Sequence, residues 1–192
     1  MNRSQQEKFL IIGPSWVGDM VMAQVLFIRL KQNNPDCEIT VIAPAWAIAV
    51  LERMPEVNNS QSLSLGHGEL GLLQRRKIGR SLRDQGYTTA IVLPNSFKSA
   101  LIPYHARIPV RIGWRGEWRV PLLTDCRKLD KEKFPLMVQR FAALAEPESE
   151  QPLLNLKSPE FHVDDAERSL SLKKYSLDLD KPIIAICPGA EF

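Results

Sequence analysis

"IIGPSWVGDM", residues 11–20, closes the apolar run Phe9–Ile12 and opens a second one, Met20–Leu30, that contains neither glycine nor proline. A short strand-type run, a glycine-bearing turn and a helix-type run make the unit from which open α/β sheets are built. Gly13 and Gly18 are spaced as the two glycines of the phosphate loop G-x-x-x-x-G-K-[ST], but the lysine position holds Asp19. Without that lysine nothing in the loop reaches a β- or γ-phosphate, which counts against NTP hydrolysis. The dinucleotide pattern G-x-G-x-x-G fails as well, because Ser15 stands at its second glycine. What remains is a helix N-terminus, which favours negative charge, supplied with a carboxylate of its own. Two roles suit Asp19 by position: a helix N-cap, or a proton acceptor at the mouth of a strand-end crevice.

Outward from this unit the same alternation recurs. "EITVIAP" (38–44), "TTAIVLP" (88–94) and "VRIGW" (110–114) are strand candidates, and "SQSLSL" (60–65) suits an edge strand followed by a "GHG" loop at 66–68. Helical patterns fall at 45–54, at 71–86, after the loop that begins at 95, and at 132–145 with Pro135 near its start. The pattern predicts an α/β fold: a Rossmann-like parallel sheet with flanking helices. Residues 1–145 form the expected domain. Residues 146–181 have linker composition with a short helix at Asp164–Lys174, and 182–192 ("PIIAICPGAEF") is expected to be a strand and Pro-Gly turn of a further domain.

Composition narrows the class. The 192 residues are 44% hydrophobic, enough for one core of ordinary size, and the net charge of +3 does not by itself imply nucleic acid. The distribution is more telling: seven Lys/Arg lie between Lys98 and Lys128 against only Glu117 and Asp125, a surface suited to phosphate. Cys37, Cys126 and Cys187 are widely separated and show no C-x-x-C spacing, and the three histidines have no metal-ligand spacing. "DLD" (178–180) matches a short metal-binding pattern but precedes its strand, on the wrong edge of a sheet. No cofactor and no metal are expected. The apolar stretch near the start is too short for a signal core, and no run approaches the roughly 20 residues of a membrane span, so the chain reads as cytoplasmic.

Ligands of open α/β sheets bind beyond the carboxyl ends of the strands. Three clusters fall there: Ser15–Asp19, Pro94–Ser99 and Trp114–Arg119. Ser15, Trp16, Asn95, Ser96 and Lys98 are candidate acceptor contacts; Trp114 offers a ring to a sugar face, and Arg111 and Arg115 are placed to fork onto phosphate oxygens. Arg76, Arg80 and Arg83 fall on one face of the 71–86 helix. A solvated face is the simplest reading of that stripe, and a partner surface the other.

With those residues in view the chain resembles the family 9 glycosyltransferases, ADP-heptose-dependent enzymes of Gram-negative bacteria. The likeness rests on "GPSWVGDMVM" (13–22), "APAW" (43–46), "RRKIGRSLR" (75–83), "VLPNSFKSALIP" (92–103), "GWRGEWR" (113–119), "LDKEKFPLMVQR" (129–140) and "CPGAEF" (187–192). It implies a glycosyltransferase-B architecture, with the acceptor on the N-terminal domain and most of the nucleotide sugar on a second one. Asp19 maps to the general base of an inverting transfer from ADP-heptose to the first inner-core heptose of lipopolysaccharide. Gly18, Pro188, Gly189 and Ala190 would face the donor. The partners implied are ADP-heptose and a phosphorylated, lipid-linked core acceptor, with peripheral contact at the inner membrane and no nucleic acid. The family's chain continues well beyond this point, so the 192 residues alone are expected to be inactive. The rival readings are a related enzyme that transfers another sugar, and a non-catalytic α/β module that binds polyanions.

Overall fold

The computed structural model describes residues 6–63, 69–148, 151–153, 155–180 and 182–186. Six strands, β1 (Lys8–Ile12), β2 (Glu38–Ala43), β3 (Asn59–Ser62), β4 (Thr89–Val92), β5 (Val110–Trp114) and β6 (Asp125–Arg127), form one sheet in the order β3-β2-β1-β4-β5-β6. Every pairing is parallel. This is the Rossmann order, in which the chain reverses its direction of travel between β1 and β4.

The period of two sorts the strand residues into two layers. Phe9 and Ile11 of β1, Ile39 and Val41 of β2 and Ile91 of β4 face a core shared with α1 (Val17–Asn33), α2 (Ala45–Leu51) and α5 (Met137–Ala142). Leu10, Ile12, Ala90 and Val92 face the other core, which contains Leu82 beyond α3 (Leu72–Ser81) and Leu101 and Ile102 of α4 (Leu101–His105). Burial on both faces explains why these strands read as continuous apolar runs. The apolar stripe of α1 is broad because the helix packs against both α2 and α5.

Several expected boundaries move. The 132–145 helix shrinks to α5, because Pro135 disfavours helical geometry at Phe134. Asp130 Oδ1 instead accepts from the backbone of Glu132 and Lys133 at 3.0 and 3.2 Å, and Gln139 Oε1 caps Leu136 N at 3.1 Å. Strand β6 was not foreseen: it is three residues long and two are charged. The nearly buried Arg127 satisfies its charge on Asp125 (2.7 Å) and donates to the Ala143 carbonyl (2.8 Å). The edge strand ends at Ser62, and the "GHG" loop lies outside the described residues.

The first compact unit runs to Phe161, not to residue 145, and His162 onward forms a second. Residues after 145 are pinned to the first unit. Glu146 takes a charge-assisted bond from Arg29 and a 2.9 Å bond from Asn33, while Leu153 and Leu156 pack on the core. Burial pushes the Glu146 carboxyl up, but these two donors outweigh it and hold it below the usual carboxylate range. Gln24, fully buried in α1, pairs with the backbone of Glu160 in both directions at 2.7 and 3.0 Å. In the second unit, α6 (Asp165–Lys174) is capped by Asp164, whose Oδ1 accepts from Ala166 N and Glu167 N. Residues 182–186, expected to be a strand, belong to none, and Ile184 and Ile186 are exposed.

Close packing of α3 on α4 depends on one missing side chain. A Cβ at Gly79 would sit 2.6 Å from the Ile102 carbonyl oxygen and 2.7 Å from His105 Cβ. Gly79→Ala is therefore expected to destabilise the fold by about 1–3 kcal/mol in denaturant unfolding. An unchanged midpoint would mean that the two helices separate at no cost.

Candidate active site

The loops after β1 and β4, adjacent strands at the reversal point, flank a crevice at the carboxyl edge of the sheet. On the β1 side, Gly13 is closely packed: a Cβ there would meet the flexible end of Met20 at 2.6 Å and stand 3.3 Å from the Ile42 carbonyl oxygen. Gly13 N also donates to Ile42 O at 2.8 Å, which carries the ladder one residue past β1. The N-cap of α1 is Trp16, and no side chain caps the helix. Asp19 therefore lies in the first turn rather than at the cap. It is half-buried, and among the described residues no hydrogen bond or ion pair holds its carboxylate. Gly18 is exposed, and a Cβ there would meet nothing, so its bare backbone leaves room beside Asp19. The Ser15 carbonyl accepts from Trp46 Nε1 at 2.9 Å, tying this loop to the start of α2.

On the other side, the loops after β4 and β5 are locked together by Arg119, whose side chain is completely buried. Its Nε and Nη2 donate to Trp114 O at 2.9 and 2.5 Å, Nη2 also reaches Asn95 Oδ1 at 3.2 Å, and Nη1 bonds Pro94 O and Ser99 Oγ. Burial lowers the guanidinium pKa to about 10, against the opposing pull of Cys126 and Glu117, which leaves it cationic at neutral pH. Glu117 accepts from Phe97 N at 3.0 Å, and Gly116 lies so close to the Asn95 carbonyl that no side chain fits.

The predicted contacts divide accordingly. Asn95, Ser96 and Lys98 lie together on the β4 loop; Lys98 is half-buried and donates to Glu69 O at 3.3 Å. Arg115 is exposed at the β5 end, and its guanidinium has no partner among the described residues. Arg111 does not join them. It is the second residue of β5, at the opposite edge, where its guanidinium donates to Ile108 O (2.5 Å) and Leu122 O (2.7 Å) and lies over the Tyr104 ring. Trp114 is not a sugar platform either. It is 6% exposed, packs on Phe134, and donates to Arg140 O at 3.1 Å. Pro188, Gly189 and Ala190 lie outside the described residues.

Of the tryptophans at this edge, the two of "GWRGEWR" both read as rings suited to a sugar face, and only Trp118 is exposed; Trp46 was not foreseen. Trp118 is 92% exposed, and Trp46 is more than half exposed like Trp16. The echo of "GPSW" (13–16) in "APAW" (43–46), each following a strand, was a usable signal for Trp46. Among the described residues no three His, Cys, Asp or Glu side chains gather as a metal site, and no helix is long and apolar enough to cross a membrane.

The six-stranded parallel sheet in Rossmann order defines an α/β unit of the doubly wound class. The chain belongs to glycosyltransferase family 9 (heptosyltransferase), whose family model matches residues 75–192. It is 51% identical to lipopolysaccharide heptosyltransferase 2 of Salmonella typhimurium over 96% of this chain and 55% of that protein. The solved structure of Escherichia coli ADP-heptose lipopolysaccharide heptosyltransferase II matches with a TM-score of 0.86 at 47% identity, covering 96% of this chain and 55% of that one. A family 9 glycosyltransferase from Veillonella parvula, only 14% identical, shares the fold with a TM-score of 0.73 over 88% of this chain and 49% of its own. The chain thus spans about half the length of the relatives it matches.

Truncating Arg119 removes both guanidinium donors from the Trp114 carbonyl and leaves the Pro94 carbonyl with the Ser99 hydroxyl alone. Arg119→Met should cost about 3 kcal/mol of stability. Arg119→Lys should recover little of it, since an ammonium does not reproduce the fork. Full stability of the Met variant in urea unfolding would show that the two loops hold without the brace.

Proposed function

We propose that this chain is the acceptor-binding half of a heptosyltransferase that moves heptose from ADP-heptose to the first inner-core heptose of lipopolysaccharide. The observation that carries the reading is the Asp19 carboxylate at the β1–β4 crevice, which has no partner among the described residues. The names of the relatives at 47–51% identity supply the sugar, its ADP carrier and lipopolysaccharide; the first inner-core heptose is what the family resemblance implies. In the inverting displacement, Asp19 takes the proton of an acceptor hydroxyl as that oxygen bonds to the anomeric carbon. The bond from that carbon to the departing phosphate oxygen breaks, and ADP leaves with the electron pair. Open backbone at Gly18 lets the donor sugar approach Asp19. The nucleotide is assigned to the second domain that the family resemblance implies, with Pro188, Gly189 and Ala190 at its entry. The developing charge on ADP is offset by cationic groups and a helix N-terminus.

Lys98 and Arg115 are assigned to the anionic acceptor, together with Asn95, Ser96, Ser15 and Trp16. Arg111 is not, because its guanidinium is committed at the other edge.

In a full-length parent, Asp19→Asn should keep the fold and lower turnover roughly 100-fold. Turnover within a fewfold of the parent would remove Asp19 from the chemistry. A chelator should leave the rate unchanged, and the 192-residue chain alone should turn over no ADP-heptose. Arg115→Gln should raise the acceptor KM and leave the donor KM alone, whereas Arg111→Gln should lower thermal stability with the acceptor KM unchanged. Steady-state kinetics with each substrate varied in turn separates the two, and the reverse pattern would overturn the assignment.

A further inference from the structure

The site leaves one strongly charged surface unused. Helix α3 turns Arg75 and Gly79 inward, with Arg75 Nε donating to Leu70 O at 2.9 Å. At helical spacing the outward arc then reads Leu72 and Leu73 in the first turn, followed by Arg76, Lys77, Arg80 and, just past the helix, Arg83. Leu73 is 81% exposed and Leu72 about half exposed. An open groove of about 500 Å³, lined by Leu73, Lys77 and Ile78 among others, runs beside them. Arg83 Nε donates to His105 O at 2.9 Å, which places α4 and the exposed Arg107 against the same arc. The crowding of cations is felt locally. Burial and then Arg76, Arg80 and Arg83 hold the His105 imidazole below its usual range, and burial, Arg107, Arg80 and Arg76 act alike on Arg83, with Asp84 as the opposing charge.

We propose that this face of α3 docks on the anionic phospholipid surface of the bilayer that carries the acceptor. The proposal rests on the reading of the acceptor as lipid-linked. Two features select a lipid surface over a nucleic acid. Exposed leucines adjoin the cations on one arc, the pattern of helices that lie in a bilayer interface. The helix carries no aromatic side chain on which bases would stack. Its position suits the task. α3 follows β3 and so begins at the carboxyl edge of the sheet, and Lys98 of the acceptor cluster reaches Glu69, three residues before the helix. The leucines therefore enter the interface beside the crevice, and the arginines extend away from it along about 15 Å of helix.

Co-sedimentation of the full-length protein with vesicles tests this. The parent should bind phosphatidylethanolamine vesicles containing a quarter phosphatidylglycerol, should not bind phosphatidylcholine vesicles, and should be released by high salt. Arg76→Gln with Arg80→Gln should weaken binding about 30-fold, roughly fivefold for each charge. Leu73→Ser should weaken it further without changing the salt dependence. On a lipid-free core oligosaccharide both variants should turn over like the parent, with unaltered thermal unfolding. Undiminished vesicle binding by the arginine variant overturns the proposal. So does a loss of turnover on the lipid-free acceptor, which would place the face inside the acceptor site, or tighter binding to duplex DNA than to the anionic vesicles. If the parent transfers heptose to no core acceptor while vesicle binding follows the expected pattern, the heptosyltransferase reading fails and the docking face stands.

Discussion

Strand β1 is held from four sides, and the site follows from that confinement. Its edges pair with β2 and β4, and its faces belong to two separate cores. Alternation cannot fix its register, because Phe9, Leu10, Ile11 and Ile12 are all apolar and a slip of one residue would bury them as well. Gly13 supplies the missing information: its N–H donates to Ile42 O at 2.8 Å, one residue past the strand. With that residue set, the chain has to leave toward α1 on one face, while the chain after β4 leaves toward α4 on the other. The crevice between them is the geometric remainder of two departures in opposite directions, and Asp19 is carried to its rim by the first.

The far wall is built on a different principle. Arg119 is a buried cation whose hydrogen-bond partners are carbonyls, an amide oxygen and a hydroxyl, with no carboxylate among them. A guanidinium has five donors in a rigid fork, so it can hold the ends of two strands at fixed separation in a way that an apolar residue of similar volume cannot. Positive charge inside this wall also suits an anionic ligand outside it. Lys98 and Arg115 are thereby presented from one interlocked pair of loops instead of two independent ones.

The sheet was legible because its central strands are buried on both faces and read as unbroken apolar runs; β6 was not, since Asp125-Cys126-Arg127 carries its stability in a side-chain ion pair that no periodicity reveals. The three loop clusters were placed correctly by strand polarity alone. Polarity says which edge a loop occupies but not which way a side chain turns, so Trp114 looked available when it is core. Arg111 looked adjacent to Arg115, although four residues of extended strand carry them to opposite edges. Arg119 was counted as surface charge because composition cannot distinguish a cation facing water from one facing carbonyls. The compact unit extends past residue 145 for a similar reason: a Pro/Glu/Ser-rich stretch has the composition of a linker, yet a single buried glutamine can still fasten it.

That fastening changes the character of the stretch itself. Were residues 146–161 a free coil, they would give the following segment a root-mean-square reach of roughly 20 Å about its anchor. The Gln24–Glu160 clasp removes that slack, and the first unit runs to Phe161. One amide side chain inside α1, with Arg29 and Asn33 on Glu146 and the apolar contacts of Leu153 and Leu156, thus turns a stretch of linker composition into a part of the first unit.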